Sequence, residues 1–360
     1  QASVPQPVSA WLPPREAVIN RPDTYVGSTV PCEYATTVLD AAGSRHSLRC
    51  QVAPALLQTF YEMLTNAIDH ALRDPKMSWL RVMVTADAEF CVANNGSATI
   101  PLDDWPGTSV PTPQVLFHEL HSGSNYRDDR AEATGGRNGM GGKIVNYLSE
   151  WFEIECCDVA AAVAYKQRFD TNGLNVGEPQ RRAYRLKECR TAVRWKADLS
   201  LFGMAAPLDE DTVKALVGQA VDTAACTRAQ VYVNDVKVAC KGFRQYALSF
   251  GGKLLGSDSV WNAQGLGVEI YVTDPSGGVG PSHVAFVNGI RCKGTLLDAV
   301  VKQISGPLCD KYETLGARAV HATILEAFSV FVCARMRNPT FDRQTKENLT
   351  TTPAKFGFAL

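Results

Sequence analysis

The chain has 360 residues, 45% hydrophobic and 20% charged, and its 36 Lys and Arg residues nearly balance its 37 Asp and Glu residues. A formal net charge of −1 gives no global reason to expect a protein that coats nucleic acid or a membrane surface. No apolar run approaches the ~18 residues of a membrane span, and the first residues, QASVPQPVSAW, lack the regions of a signal peptide. We therefore expect a globular protein long enough for two domains.

The cysteines indicate free thiols. Their number, 11, is odd, Cys156 and Cys157 are adjacent, and no C-x-x-C pair occurs, so neither a disulfide framework nor a zinc site is supported. A reducing compartment, cytoplasm or nucleus, follows as the expected location.

Residues 54–73, PALLQTFYEMLTNAIDHALR, give the clearest helix prediction. Their apolar residues recur at spacings of one, three and four, which forms one broad stripe. Glu62, Asn66 and Asp69 follow at i, i+4 and i+7 and stack on another face. Such a carboxylate can deprotonate a water, and such an amide can supply a Mg²⁺ ligand, but an isolated E-x-x-x-N is more often a solvated helix face.

Two strands are predicted next, at 79–85 and 89–93, and Asn94-Asn95-Gly96 is predicted to end the second as a turn. The asparagines have two interpretations. Asn-Gly is a favoured hairpin pair, and an asparagine side chain could also recognise the edge of a purine.

Further elements follow the same rules of periodicity. Strands are predicted at 150–156, 159–169, 231–240, 266–274 and 283–292, and helices at 209–222, 294–305 and 316–333. The helix at 209–222 is a plausible seam between two α+β domains.

Residues 134–143, TGGRNGMGGK, contain five glycines and end in a lysine. Glycines let backbone N–H groups turn toward an anion, and a helix that begins near Gly142 would attract one through its dipole. The P-loop pattern fails because Arg137 and Ile144 stand where glycine and Ser/Thr are needed. The dinucleotide pattern fails as well, because Gly139-x-Gly141 is followed by Ile144.

Taken together, these motifs resemble the GHKL (Bergerat) ATPases, and more closely the ATPase region of type IIA DNA topoisomerases of the eukaryotic or viral type. The resemblance runs from residue 21 to residue 351. It is carried by RPDTYVGS (21–28), EMLTNAID (62–69), SNY (124–126), TGGRNG (134–139), FGM (202–204) and NPTFDRQTKENLTT (338–351).

The resemblance implies an α+β fold of two domains. A GHKL α/β sandwich is followed by a transducer domain with a ribosomal-S5-like, left-handed β-α-β unit. We place an N-terminal arm at 1–20, the GHKL domain at 21–224 and the transducer, with its QTK loop, at 225–360.

The resemblance also implies an ATP and Mg²⁺ site. Glu62 would be the general base, Asn66 the protein ligand of Mg²⁺ and Asn94 the adenine contact, with Asp69 in the same site. Gln344 and Lys346 would reach the γ-phosphate from the second domain. The remaining nucleotide contacts, with Lys143 on the phosphates, would be Ser124, Asn125, Thr134, Gly135, Gly136, Arg137, Asn138, Gly139, Met140, Gly141, Gly142 and Lys143.

Function follows from the same resemblance. ATP would close a homodimer around a double-stranded DNA segment, and a C-terminal cleavage core of the same polypeptide would pass the strand. The chain ends soon after the QTK loop, so we expect a fragment that hydrolyses ATP but does not relax DNA. The expected location is nuclear, or cytoplasmic or in the virion for a viral protein, with no membrane partner.

Several positions depart from the family pattern. Residues 97–100, SATI, add one residue and lack a second glycine; Met140 replaces a tyrosine, Gly142 an alanine and His70 an asparagine. Trp11 is the candidate for an arm aromatic that contacts the partner subunit's nucleotide.

Alternatives remain open at this stage. They are a mismatch-repair or chaperone ATPase of the GHKL class, and a nucleotide clamp without turnover, which the altered 97–100 segment would favour. A histidine kinase is disfavoured because no phospho-acceptor helix precedes the domain. Seven basic residues in sixteen positions, from Arg181 to Lys196, are either a DNA-facing patch or a solvated strand pair.

Overall fold

The computed structural model describes residues 12–39, 43–120, 122–123, 139–276, 279, 282–311, 322–323 and 325–360, with the backbone alone for 308–311. Two sheets with helices packed on them form a mixed α+β architecture, which confirms the predicted fold class. No helix in the described ranges is both long and apolar enough to cross a membrane. The cysteine side chains that the structure covers are free thiols.

The first part of the chain builds the larger sheet. Its helices are α1 (Pro14–Asn20), α2 (Asp23–Val26), α3 (Pro54–Arg73), α4 (Thr112–His118), α5 (Gly141–Tyr147) and α6 (Glu210–Asp222). Its strands are β1 (Cys32–Leu39), β2 (Arg45–Val52), β3 (Trp79–Val84), β4 (Glu89–Gly96), β5 (Ser149–Asp158), β6 (Val163–Asp170), β7 (Asn175–Val176), β8 (Gln180–Ala183), β9 (Cys189–Ala197), β10 (Gln230–Val233) and β11 (Val236–Lys237). Strands β1 and β2 form a separate hairpin. The sheet itself runs β11-β10-β3-β4-β9-β5-β6-β7, with β8 also on β6.

The second part builds a smaller sheet in the order β12-β13-β16-β14-β15-β17. Its elements are α7 (Phe243–Leu248), β12 (Leu254–Trp261), β13 (Gly267–Thr273), β14 (His283–Val287), β15 (Ile290–Gly294), α8 (Thr295–Lys311), β16 (Ser329–Arg335) and β17 (Asn348–Leu349). Helix α8 directly follows β15 and packs on one face of this sheet.

Helix α3 lies at the centre of the larger core. Pro54 begins it, at a position where the missing N–H costs nothing. Its apolar stripe packs on β4, α2, α5 and α6, and Phe60 joins Phe90 and Trp195 in an aromatic cluster with ring centroids 5.3–6.1 Å apart. Complete burial of Phe60 alone contributes about 1.5–3 kcal/mol of transfer free energy.

The two sheets share one continuous core. Tyr271, Phe286 and Phe331 on one face of the smaller sheet belong to the same apolar cluster as α3. The opposite face forms a second cluster with α8, which includes Leu296 and Val300. The smaller sheet is therefore anchored to the larger part of the molecule by apolar packing.

The fold differs from the sequence-based expectations at several places. The strands predicted at 231–240 and 283–292 are each divided by a turn into a hairpin. Residues 329–333, predicted as helix, form strand β16, because the apolar run VFVC (330–333) lies between β13 and β14. Strand β10 pairs in parallel with β3 of the first sheet, although the predicted division places it in the second domain. The domain limits themselves stay a prediction.

Candidate active site

Helix α3 carries three of the predicted site residues on one face. Glu62 and Asp69 are buried, at 7% and 3% exposure, and Asn66 between them is exposed. The Nε2 of Gln58, one turn earlier, donates to Oε1 of Glu62 at 2.9 Å. Because the backbone of α3 is fixed by its buried stripe, the carboxylate is held at a defined place above the helix.

These side chains border a cavity of about 740 Å³. That volume lies within the range of ligand sites. The cavity is lined by residues from six separate stretches of the chain. Among the predicted site residues that line it are Glu62, Asn66, Asp69, Asn94, Gly139, Met140, Gly141, Gly142, Lys143, Gln344 and Lys346.

The part of the glycine-rich segment that the structure describes lies against the carboxylate of Glu62. Gly139 has a φ of +55°, which favours glycine. Helix α5 begins at Gly141, where an added Cβ would stand 2.3 Å from Oε2 of Glu62. At Gly142 an added Cβ would stand 2.7 Å from the Phe117 ring. Because these glycines lack side chains, the backbone can lie close to the Glu62 carboxylate, and it could lie equally close to a bound anion.

The buried side chain of Lys143 bonds to the backbone of this segment. It is 2% exposed, and its Nζ donates to the carbonyl oxygens of Ser122 at 2.5 Å and Gly139 at 2.6 Å. Burial lowers the pKa of Lys143 from 10.5 to about 8. The ammonium thus joins the two ends of the segment between Ser122 and Gly139. The predicted contact of Lys143 with phosphates stays a prediction.

Several predicted contacts lie outside the described residues. They are Ser124, Asn125, Thr134, Gly135, Gly136, Arg137 and Asn138, and the same holds for Trp11 in the arm.

The turn predicted at Asn94-Asn95-Gly96 is wrong. All three residues continue strand β4 and pair with β9. Asn94 lines the cavity, and its amide donates to the Asn95 carbonyl at 3.2 Å. The side chain of Asn95 points the other way, as strand alternation requires, and its Oδ1 accepts the backbone N–H groups of Ser78 and Trp79.

Sequence reasoning missed Asp74, which anchors the altered 97–100 segment. Its Oδ2 accepts the Ser97 N–H at 2.5 Å and its Oδ1 accepts the Lys76 N–H at 3.0 Å. Burial alone would raise the pKa of Asp74, but these hydrogen bonds outweigh it and lower the pKa. The His70 Nε2 lies 3.6 Å from Oδ2, and burial lowers the pKa of His70. Asp74 follows the predicted end of the helix and precedes a proline, which is the signal that could have marked it.

The altered segment still forms a wall of the cavity. Ser97, Ala98, Thr99 and Ile100 all line it. The Thr99 hydroxyl lies 2.7 Å from that of Thr191 on β9. The extra residue is therefore accommodated without closing the site.

The second part of the chain reaches the same cavity through Gln344 and Lys346. The Lys346 Nζ stands 3.9 Å from Oε1 of Glu62, and both side chains are about nine-tenths buried. Lys346 has a φ of +58° in a turn in which its N–H donates to the Arg343 carbonyl. The geometry brings together, in the lining of the cavity, a carboxylate from α3 and an ammonium from the turn that precedes β17.

The basic cluster at 181–196 is largely matched by acidic side chains. Arg182 pairs with Glu155, Arg190 with Glu188, Arg194 with Glu153 and Glu155, and Lys196 with Glu150. These pairs favour a solvated strand surface over a DNA-facing patch.

Comparisons with known proteins place this chain in a family. No protein-family model matches the chain. DNA topoisomerase 2-alpha from Homo sapiens is 33% identical over an alignment of 356 positions, which covers 95% of this chain and 23% of that protein. A crystal structure of the ATPase and transducer domains of DNA topoisomerase II from Balamuthia mandrillaris is 30% identical. It has a TM-score of 0.87 and covers 99% of this chain and 92% of that one. The chain belongs to the DNA topoisomerase II family.

A second solved structure agrees with this assignment. The ATPase region of Saccharomyces cerevisiae topoisomerase II is 27% identical, with a TM-score of 0.89 over 98% of this chain and 92% of that chain. Within the family the chain corresponds to the ATPase region and spans about a quarter of the length of the curated topoisomerase II relatives it matches. The resemblance carried by the sequence motifs is thereby confirmed.

Proposed function

We propose that the chain is the ATP-driven gate of a DNA topoisomerase II, which binds and hydrolyses Mg-ATP and dimerises when ATP is bound. The observation that carries the proposal is the approach of the Lys346 ammonium to the Glu62 carboxylate inside the cavity. A general base and a cation from different parts of the chain face one space, which suits attack of water on a γ-phosphate.

The predicted residues within the described part of the chain have positions that are consistent with their proposed roles. The Glu62 carboxylate accepts a proton from the attacking water, and Lys346 with Gln344 binds the γ-phosphate and stabilises the charge that develops on it. Asn94, on the wall of the cavity, binds the adenine. The N-terminus of α5 and Lys143 bind the phosphate chain, and the other nucleotide contacts predicted from the sequence complete the site.

The donor set fits Mg²⁺ held mainly by the nucleotide. Among the described residues there is no group of three or more His, Cys, Asp or Glu side chains that could hold a metal alone. Asn66, an exposed amide one turn from Glu62, would supply one oxygen ligand, with Asp69 on the same face, and phosphate and water oxygens would supply the rest. When bound, the ion would neutralise negative charge on the phosphates.

The wider assembly is part of the same proposal. The GHKL domain of residues 21–224 and the transducer of 225–360 close with a second copy around double-stranded DNA. A C-terminal cleavage core of the same polypeptide then completes strand passage. The compartment proposed is the nucleus, or the cytoplasm or virion for a viral protein.

Phosphate release tests the catalytic part. We expect the unsubstituted chain to hydrolyse ATP with Mg²⁺, and Glu62→Gln to lower kcat roughly 100-fold or more while still binding nucleotide, because the shape is kept and the base is lost. Glu150→Gln, at an exposed carboxylate paired with Lys196, is the matched control and should keep full activity. Nucleotide binding without any turnover in the unsubstituted chain would refute hydrolysis and leave a clamp.

Light scattering tests the gate. We expect a non-hydrolysable ATP analogue with Mg²⁺ to double the mass, ADP to leave it unchanged, and Lys346→Ala to weaken the response to the analogue. A chain that binds the analogue and stays monomeric would refute the gate proposal.

A further inference from the structure

The tip of the β14–β15 hairpin docks on a second face of α3. Asn288 and Gly289 at the tip have φ values of 49° and 79°, as a tight hairpin turn requires. Asn288 is 1% exposed, and its side chain bonds both the N–H and the carbonyl of Met336. The tip is therefore a rigid part of the smaller sheet.

Tyr61 fastens this tip to the helix. Its hydroxyl lies 3.1 Å from the Gly289 carbonyl, to which it donates, and 2.6 Å from the Arg291 N–H, from which it accepts. Burial raises the pKa of Tyr61, so the hydroxyl keeps the proton that it donates. The Tyr61 hydroxyl oxygen thus takes part in these two hydrogen bonds between α3 and the hairpin.

Two further contacts fix the same junction. An added Cβ on Gly289 would stand 2.3 Å from Cγ2 of Ile68, so the turn backbone lies directly on the helix. Tyr61 and Ile68 are seven residues apart and share a face, about 100° around the helix from Glu62. The Arg291 guanidinium pairs with Asp222, at the end of α6, at 2.9 Å.

The strand that leaves this junction also holds the Lys346 loop. Strand β15 pairs in parallel with β17, and the Lys293 N–H donates to the Glu347 carbonyl at 2.8 Å. Lys346 precedes Glu347 and approaches Glu62. Two adjacent residues of α3 therefore contact the same pair of strands. Tyr61 bonds the hairpin at the start of β15, and Glu62 faces Lys346, just before β17.

We propose that Tyr61 is a positioning residue whose hydroxyl sets the reach of Lys346 into the active site by clamping the β14–β15 hairpin to α3. The inference rests on the proposed function, since Lys346 acts on the γ-phosphate. Tyr61 does not line the cavity, so its effect passes through the hairpin, β15 and β17 rather than through contact with nucleotide. Loosening the clamp widens the range of Lys346 positions and leaves the nucleotide pocket intact.

The variant that tests this is Tyr61→Phe, which removes only the hydroxyl. We expect kcat for ATP hydrolysis to fall roughly threefold to tenfold, the range of one to two lost hydrogen bonds, while the affinity for a non-hydrolysable analogue stays within twofold. Tyr184→Phe is the matched control. Its hydroxyl bonds the Glu188 carbonyl at 2.7 Å within the larger part, and kcat should not change.

A double-mutant cycle with Lys346→Ala separates positioning from a general structural role. If Tyr61 acts through Lys346, removal of the Tyr61 hydroxyl lowers kcat little further in the Lys346→Ala background. An unchanged kcat in Tyr61→Phe, or a loss that persists in full without Lys346, overturns the proposal.

Amide exchange gives a readout that does not depend on hydrolysis. We expect Tyr61→Phe without nucleotide to raise exchange at residues 344–349 as well as at the hairpin tip, and Tyr184→Phe to raise neither. Exchange that rises at the tip alone overturns the link to Lys346. An unsubstituted chain without ATPase activity refutes the proposed function instead, and the exchange result then decides the mechanical link by itself.

Discussion

Replacement of Gly141 by alanine is expected to displace the carboxylate of Glu62, the proposed general base, without disturbing the fold. An alanine Cβ would stand 2.3 Å from Oε2 and 3.1 Å from Cδ of Glu62, whereas real Cβ contacts below 3.0 Å essentially do not occur. The carboxylate must therefore retreat by about 0.7 Å or more, and a misplacement near 1 Å can cost about 100-fold in rate. Since only the end of a flexible side chain moves, the helix can stay as it is.

Steady-state phosphate release measures this effect. We expect Gly141→Ala to lower kcat by roughly 100-fold, and the melting temperature to move by only a few degrees. Gly306→Ala, in helix α8 with no atom within 4 Å of the added Cβ, is the control for placing alanine in a helix and should leave kcat unchanged. A kcat of Gly141→Ala within threefold of the unsubstituted chain would show that this contact does not hold the group that activates water.

Two further predictions concern charge. Because burial lowers the pKa of Lys143 to about 8, the free protein at pH 8.5 carries this amine mostly neutral. A bound triphosphate would raise the pKa again, so the analogue should bind with proton uptake. Calorimetry in buffers of different ionisation enthalpy measures this proton uptake. We expect Lys143→Arg to abolish the uptake. An unsubstituted chain that takes up no proton at pH 8.5 would contradict the assignment. Asp222→Ala should lower the free energy of unfolding by about 3 kcal/mol, because the Arg45 side chain, 1% exposed, loses its carboxylate. Urea unfolding measures this, and a loss below about 1 kcal/mol would contradict it.

Local periodicity predicted α3 from end to end. Twenty residues of consistent apolar spacing outweigh any local ambiguity, and the limits 54–73 match the structure. The face that carries Glu62, Asn66 and Asp69 follows from the same geometry. What periodicity could not supply is which of these side chains faces a cavity, because that depends on the elements packed around the helix.

One error arose where pairing between distant strands overrides local preference. Asn94-Asn95-Gly96 has turn chemistry, yet strand β9, far away in the sequence, pairs with all three residues and keeps them extended. Another error was a misreading of a local signal. Residues 329–333 contain Val330, Phe331 and Val332, which favour the strand that they form in the centre of the smaller sheet.

The Lys346 contact was accessible only through the family resemblance. Taken alone, Gln344-Thr345-Lys346 is an ordinary polar loop, and its approach to Glu62 depends on the pairing of β17 with β15. Neither hydrophobic spacing nor composition encodes that pairing. The cavity's lining from two parts of the chain could therefore not be derived from the sequence pattern, and the functional roles of its residues stay predictions.

The distance between Lys346 and Glu62 bears on how such a gate could sense ATP. At 3.9 Å the ammonium and the carboxylate attract each other but lie beyond hydrogen-bonding distance. Under the proposed function, a γ-phosphate offers more negative charge and several acceptor oxygens, so Lys346 loses little by turning toward it and gains charge-assisted hydrogen bonds. ADP offers no group at that position, and the lysine then stays with Glu62. Under the same proposal, a change in the position of Lys346 would pass to β17 and to its parallel neighbour β15, while Tyr61 holds the tip of the β14–β15 hairpin on α3.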